Sequence, residues 1–455
     1  MKIPLVIVSA LALAGIGWLS WQHHLRTSPT VAEETEGDRL ASIEAAFLPS
    51  AGKGDESREL ATDDPEMRTG AAAFFKELGS ALTAADRSRL SKLVSGDLMF
   101  SYAERSGVLQ VRGRQRRSQL MRGFRSGVGN GLAQAAGLLA YDEFDVMRIE
   151  KIRDGEMVAY IRWWNDEFEI YTKMRWWLMK TKGGKWVAYD YEDFDQNLRA
   201  SALIGAMLSG SGGGQLPWMD EFGEVVKVFQ GASGVEALTS LPESLDVVDA
   251  LLAHKLPKGI EGFARIIRST ALLLDGRADD ALEEAERIEK VTGGAPITYY
   301  QKGSCLAALD RPEEALVEFA RYGDMLGWDS DLREMVADCH YALGANDKAI
   351  EQVETALAEQ ANAVGCLCTL SFCLPPERLG EIAERVKKTR DPEASYEYIL
   401  DYAVDVGRLD VLKAVFAQLK VAHPESDLLE YYEDEIQELE TENETPERAL
   451  EAEVE

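Results

Sequence analysis

The chain has 455 residues, too many for one ordinary core, so two domains with tails are expected. A composition of 46% hydrophobic and 28% charged residues is globular, and a formal net charge of -30 excludes nucleic acid as the main partner, because phosphate binding is driven by cations. Five cysteines, an odd number, exclude a closed disulfide framework.

Residues 3–21 are uncharged and mostly apolar, with Lys2 before them and His23, His24 and Arg26 after. At about 1.5 Å per residue a helix of that length just spans a hydrocarbon core of about 30 Å. Two readings follow for residues 1–22. Trp18 and Trp21 suit the aromatic belt of a retained transmembrane anchor, with the body on the extracytoplasmic, periplasmic side. Ala10-Leu11-Ala12 and Ala12-Leu13-Ala14 offer the small residues of a cleaved signal peptide, which would make the protein secreted. Residues 23–65, rich in Glu, Asp, Ser, Gly and Pro, read as a flexible tether.

In residues 66–208, Ala71, Phe74, Phe75, Leu78 and Leu82 recur at helical spacing, and Leu90 and Leu93 follow a polar break. Seven arginines fall within 105–125, with Glu104 beside them. In so acidic a chain this patch suits an acidic partner, anionic lipid or a solvated helix surface. Gly127, Gly129 and Gly131 lack the strand before and the lysine after that a phosphate loop needs, and read as a loop. The period then changes to that of strands over 143–153, 157–164, 168–180 and 185–194, with turns at Asp154-Gly155 and Gly183-Gly184. Helices followed by an antiparallel meander predict an α+β domain in which a curved sheet wraps a helix.

That order of elements, closing on Gly184, Trp186 and Asp190, resembles the nuclear-transport-factor-2-like (NTF2-like) or SnoaL-like superfamily. The resemblance implies a cone-shaped domain of helices on a curved antiparallel sheet. It also implies either an isomerase or dehydratase with an acidic or histidine base inside the cone, or a non-catalytic ligand or partner domain. No histidine occurs between His24 and His254, so a histidine base is excluded. The candidate pocket residues are Arg162, Trp164, Trp176 and Asp190. Asp190 is the carboxylate, and Arg162, on one strand face with Tyr160 and Trp164, its counter-charge. The plainer reading makes them surface or structural residues of a tryptophan-rich sheet. Trp163-Trp164 and Trp176-Trp177 put one ring on each face, so both faces are expected to be covered. Helices cover one; a ligand, the repeats or a second copy in a homodimer covers the other.

Ser209 to Gly214 open a linker and lead-in, 209–258, after a helix expected over 197–208. Beyond it, Ala281, Ala315 and Ala349 stand 34 residues apart and Ala383 falls on the same beat. Gly276, Asp310 and Gly344 each precede the alanine by five residues, where two helices must turn; Ile288, Tyr322 and Ala356 follow it by seven. This is the signature of helical-hairpin repeats. Gly303, Ala315 and Phe319, with Ala337, Ala349 and Val353 in the next copy, resemble the tetratricopeptide (TPR) family. The resemblance implies an all-α solenoid over 259–425 that binds a protein partner. Leu412 stands where a fifth copy would place alanine. Cys305, Cys339 and Cys373, also 34 apart, read as small buried side chains, and Cys366, Cys368 and Cys373 lack the histidine or paired spacing of a zinc site. Tyr299, Lys302, Arg333 and Tyr341 lie near first-helix positions open to a ligand. Residues 426–455 read as an acidic tail, a fraying helix running into solvated chain.

The sequence thus points to a membrane-tethered, non-catalytic interaction or scaffold protein. Its repeats would bind a protein and its inner domain a small ligand or a second copy; no catalytic residue, metal or cofactor is assigned. An isomerase or dehydratase, or a ligand sensor, using the inner pocket is the alternative, and an assembly role in the bacterial envelope a third.

Overall fold

The computed structural model describes residues 64–452 apart from 106–108, 110, 112, 135, 166–169, 195–197, 202, 204–217 and 231–243. The apolar run 3–21 and the tether lie outside them. Among the described residues no helix is long and apolar enough to cross a membrane. The chain divides into two compact units, one running to Cys305 and one from Leu306.

The first unit is α+β. Helix α1 (Pro65–Thr83) starts at Asp64, whose carboxylate accepts the N–H groups of Glu66 and Met67 at 3.0 and 3.2 Å. It buries Met67, Ala71, Phe74, Phe75, Leu78 and Leu82, one apolar stripe at helical spacing. The polar break is real: Ala85 turns at φ 46°, and Asp86 caps α2 (Arg87–Leu93) through the Arg89 N–H at 3.0 Å. Helices α3 (Gly96–Arg105), α4 (Arg114–Gln134) and α5 (Ala136–Leu139) follow.

The glycine run expected as a loop is helical and lies inside α4. A Cβ on Gly129 would fall 1.8 Å from Ser91 Oγ of α2, and one on Gly96 would fall 2.5 Å from the Phe124 carbonyl. These glycines let helices cross with their backbones nearly touching, which outweighs their poor helix propensity.

Strands β1 (Glu143–Arg153), β2 (Glu156–Asn165), β3 (Ile170–Lys180), β4 (Trp186–Asp193) and the two-residue β5 (Leu198–Arg199) form one antiparallel sheet in sequence order. Both expected turn glycines are left-handed, Gly155 at φ 74° and Gly184 at 81°. Trp163, Trp176, Leu178 and Ala188 share the face that packs on α1, where Phe75 meets Trp176 edge-on at 6.0 Å. Val158, Trp177, Val187 and Tyr189 share the other face with Leu98 and Tyr102 of α3. Both faces are therefore covered, as the tryptophan doublets predict, although helix α3 takes the side left open for a ligand or a second copy. Trp177 pairs with Asp190 and Leu178 with Ala188, so Tyr189 is the extra residue of a bulge. The helix expected over 197–208 is interrupted at its start by β5, with helical backbone at 200, 201 and 203.

Helices α6 (Met219–Gln230), α7 (Leu245–Leu252), α8 (Lys258–Leu274), α9 (Ala278–Thr292) and α10 (Pro296–Ala308) complete this unit, whose boundary falls inside α10. Phe222, Val225, Val248, Leu251, Phe263 and Ile267 bury a second core together with Leu203. At its edge Glu284 of α9, 0% exposed, receives Arg265 at 2.6 Å, Arg268 at 3.2 Å and Arg287 at 2.8 Å.

The second unit is all α: α11 (Pro312–Leu326), α12 (Ser330–Ala342), α13 (Asn346–Glu359), α14 (Val364–Cys373), α15 (Glu381–Val386), α16 (Pro392–Asp405), α17 (Leu409–Ala422) and α18 (Leu428–Ala452).

The 34-residue beat is a beat of turns. Gly276, Asp310 and Gly344, 34 residues apart, are left-handed at φ 75°, 56° and 69°, and so is Gly407 at 66°, 63 residues after Gly344. In each, the following N–H reaches back five residues: Arg277 to Leu272 at 2.9 Å, Arg311 to Leu306 at 2.9 Å, Ala345 to His340 at 2.8 Å and Arg408 to Ala403 at 2.9 Å. This is the Schellman closure of a helix end. Ala281, Ala315 and Ala349 are each 0% exposed, one turn into the following helix.

The fourth copy departs from the beat. Ala383 is half-buried and Ile382 and Val386 take the core positions, because a 3-10 turn at Pro376–Arg378 replaces the left-handed one and α15 is only six residues long. Leu412 fills the alanine place at 0% exposure. The acidic tail begins as a packed helix: Tyr432 of α18 is 0% exposed and donates its hydroxyl to Asp401 Oδ1 at 2.6 Å.

Candidate functional site

The four pocket residues named from the sequence do not meet. Arg162 and Trp164 alternate with Tyr160 on the α3-facing side of β2, and Asp190, paired with Trp177, lies on the same side of β4. Trp176 points the opposite way, stacked on Tyr191 at 4.7 Å in the α1 core. Arg162 bonds its cross-strand partner Asp145 at 2.8 Å, and Trp164 is buried.

Asp190 is wholly buried and densely bonded. Its carboxylate accepts Arg199 Nε at 2.5 Å, the Ser201 hydroxyl at 2.6 Å, the Ser201 N–H at 3.1 Å and the Tyr191 N–H at 3.0 Å. Burial pushes its carboxyl above the usual range, and Arg199 and Ser201 oppose that shift. The Arg199 guanidinium lies 3.7 Å over the Trp177 ring and 4.7 Å over Tyr102. A general base needs a lone pair turned to open space beside the substrate. Asp190 instead clamps β5 and the turn after it to β4. Arg199 and Ser201 went unseen in the sequence because no period links them to Asp190; only the antiparallel pairing of β5 with β4 brings them together.

A second group of side chains crosses three helices of the second unit. Asp338 of α12 accepts the Thr369 hydroxyl of α14 at 2.8 Å. Phe372 of α14 meets Tyr402 of α16 edge-on at 5.2 Å. Arg408 lies 5.3 Å from the Phe372 centroid, donates to the Tyr341 hydroxyl at 2.6 Å and pairs with Asp410 at 2.8 Å. Glu334 of α12 sits against Gly365, where a Cβ would fall 2.1 Å from its carboxylate.

Burial raises the Tyr398 phenol, with the Glu334 carboxylate adding to the shift. Burial, followed by Asp338, pushes Tyr402 up to about 12. Tyr402, Val406 and Leu343 are exposed large side chains at the ends of α16 and α12. The result is a strip of carboxylates and aromatic rings on α12, α14 and α16. Of the first-helix residues named from the sequence, Tyr341 joins it. Arg333 bonds Gln352 at 2.9 Å on α13, and Lys302 pairs with Glu289 in the first unit.

The cysteine ladder is chemically quiet. Cys305, Cys339 and Cys373 are buried and free, and burial pushes each thiol up to about 12. Such thiols stay protonated and unreactive. Among the described residues no group of side chains could hold a metal ion. A groove of 740 Å³ between the starts of α16 and α18 is lined by Asp391, Glu393, Glu397, Glu425 and Asp427, with His423 Nδ1 3.9 Å from Glu393.

No protein-family model and no curated protein matches this chain.

Proposed function

We propose that this is a non-catalytic interaction protein whose TPR-like repeats hold a segment of another protein, carried on an NTF2-like domain behind a membrane anchor. The observation that carries the reading is the strip across α12, α14 and α16, where Asp338 accepts the Thr369 hydroxyl of α14 and Phe372 of α14 meets Tyr402 of α16 edge-on. Helical repeats gain binding area by adding equivalent helices side by side, and such a strip suits an extended segment. Carboxylates beside aromatic rings favour a lysine- or arginine-bearing one. The exposed edge of Tyr402 leaves room for it.

The inner domain is read as the structural partner of the array rather than as an isomerase, a dehydratase or a ligand sensor, since the Asp190 carboxylate is already engaged by Arg199 and Ser201.

A photo-crosslinking side chain at position 402 tests the proposal against one at Val421, which is 84% exposed on α17. The expected outcome is a defined crosslinked partner from 402 only, lost in Asp338→Ala and regained by a synthetic peptide of the trapped segment. Equal labelling from both positions would sink it.

A further inference from the structure

Residues 87–134 hold ten arginines and lysines against two acids, in a chain of net charge -30. Both acids are consumed internally. Glu104 takes Arg117 in a two-pronged bond at 2.7 and 2.9 Å, and Asp97 takes Arg125 at 2.7 and 2.8 Å, tying α3 to α4. Arg87 and Lys92 of α2 and Arg114 and Arg122 of α4 are exposed, and no acid of this segment remains for them. Arg122 lies opposite the buried stripe of Leu120, Phe124 and Val128. Gly129 brings α2 close against α4, which adds Arg87 and Lys92 alongside.

The chain carries the complement of this face. Helix α18 buries Tyr432 and turns Glu430, Asp434 and Glu438 outward, four residues apart on one ridge. Like charges at that spacing repel along a helix, and a row of cations relieves the repulsion. The acids nearer the body are already paired, Glu433 with Lys420 at 3.1 Å and Glu440 with Lys413.

We propose that two copies of this chain associate through these faces, the cationic α2–α4 surface of one receiving the acidic ridge of α18 of the other. Both are rods, α4 of 21 residues and α18 of 25, so their charges can run side by side. A flat anionic bilayer would meet only the cations lying in one plane. Arg114 and Arg122 are set at different angles around α4. Repulsion between two net-negative chains is screened beyond about 8 Å at physiological salt, which leaves the local match in control.

Charge reversal tests this with the full chain in detergent micelles. One variant carries Arg87→Glu, Arg114→Glu and Arg122→Glu; a second carries Glu430→Lys, Asp434→Lys and Glu438→Lys. Sedimentation is followed at about 0.05 M and about 0.5 M salt. Self-association at the lower salt is expected to weaken about tenfold in either variant alone and to return when the two are mixed, the intact face of one then meeting the intact ridge of the other and the two reversed surfaces meeting each other. All six positions are exposed, and circular dichroism verifies the helices. A chain that is monomeric at both salts, or associates unchanged in the variants, overturns the proposal. So does a mixture that restores nothing, which would place the contact within one chain. Loss of binding to phosphatidylglycerol vesicles in the arginine variant, with self-association untouched, overturns it in favour of a lipid surface.

Discussion

Asp190 shows how one side chain is committed by its neighbours. Its folded carboxyl is raised by burial, so relative to the unfolded chain the protonated form is favoured. The stability this group contributes is fully present below the unfolded value of about 3.9 and is lost as pH rises through the higher folded one. Urea unfolding of the wild type and of Asp190→Asn is expected to show a stability difference that shifts against the wild type from about pH 4 upward. An unchanged difference would mean that Arg199 and Ser201 fully offset the burial. Asp310 is the other residue under constraint, the sole left-handed turn of the four without glycine. A side chain there costs about 1 kcal/mol, so Asp310→Gly is expected to raise the thermal midpoint of the second unit.

Neither site was equally open to reading. The turn at Asp310 was visible because three residues repeat at one interval. The partners of Asp190 were not, since they lie beyond a strand end and share no period with it.

At the scale of elements, strands and repeat turns were legible because each is written locally: alternation over 143–194, glycine at Gly155 and Gly184, and alanine five places after the turns at Gly276, Asp310 and Gly344. What failed to show were features fixed by a neighbour. The run from Gly127 to Gly131 reads as a loop on propensity, and only the close passage of Ser91 explains it as helix. Gly129→Ala is expected to cost about 1–3 kcal/mol in urea unfolding, partly recovered by Ser91→Gly. A cost that the second change leaves untouched would assign it to something other than this crossing. Glu284 joins α8 and α9 in the same way, one buried carboxylate serving three arginines. Glu284→Ala strands those cations, and a loss of about 3 kcal/mol is expected, at the low end for a broken buried pair because the arginines are partly exposed. A loss below about 0.5 kcal/mol would mark the network as a surface decoration.

For the whole molecule, two units on either side of Leu306 predict two unfolding transitions rather than one. Glu284→Ala should lower one of them and leave the second in place, read by calorimetry; a single coincident transition would mean that the units fold as one. The acidic α18 matters at this scale too. The tail, expected as a fraying helix running into solvated chain, begins as a packed helix that closes the end of the array through Tyr432 and keeps a charged outer face.

The four turns have a consequence for how such a protein changes over generations. Asp310 and Gly344 end their helices with the same bonding, so residues 311–344 begin and end at equivalent points. Excision of that stretch would join Asp310 to Ala345 at a junction that is already a native closure. The array can therefore shorten or lengthen by whole units through slippage of the coding sequence, whereas the sheet, with its fixed order of strands, has no such freedom. From Gly276 to Gly344 the array's length is a heritable dial, turned in steps of 34 residues.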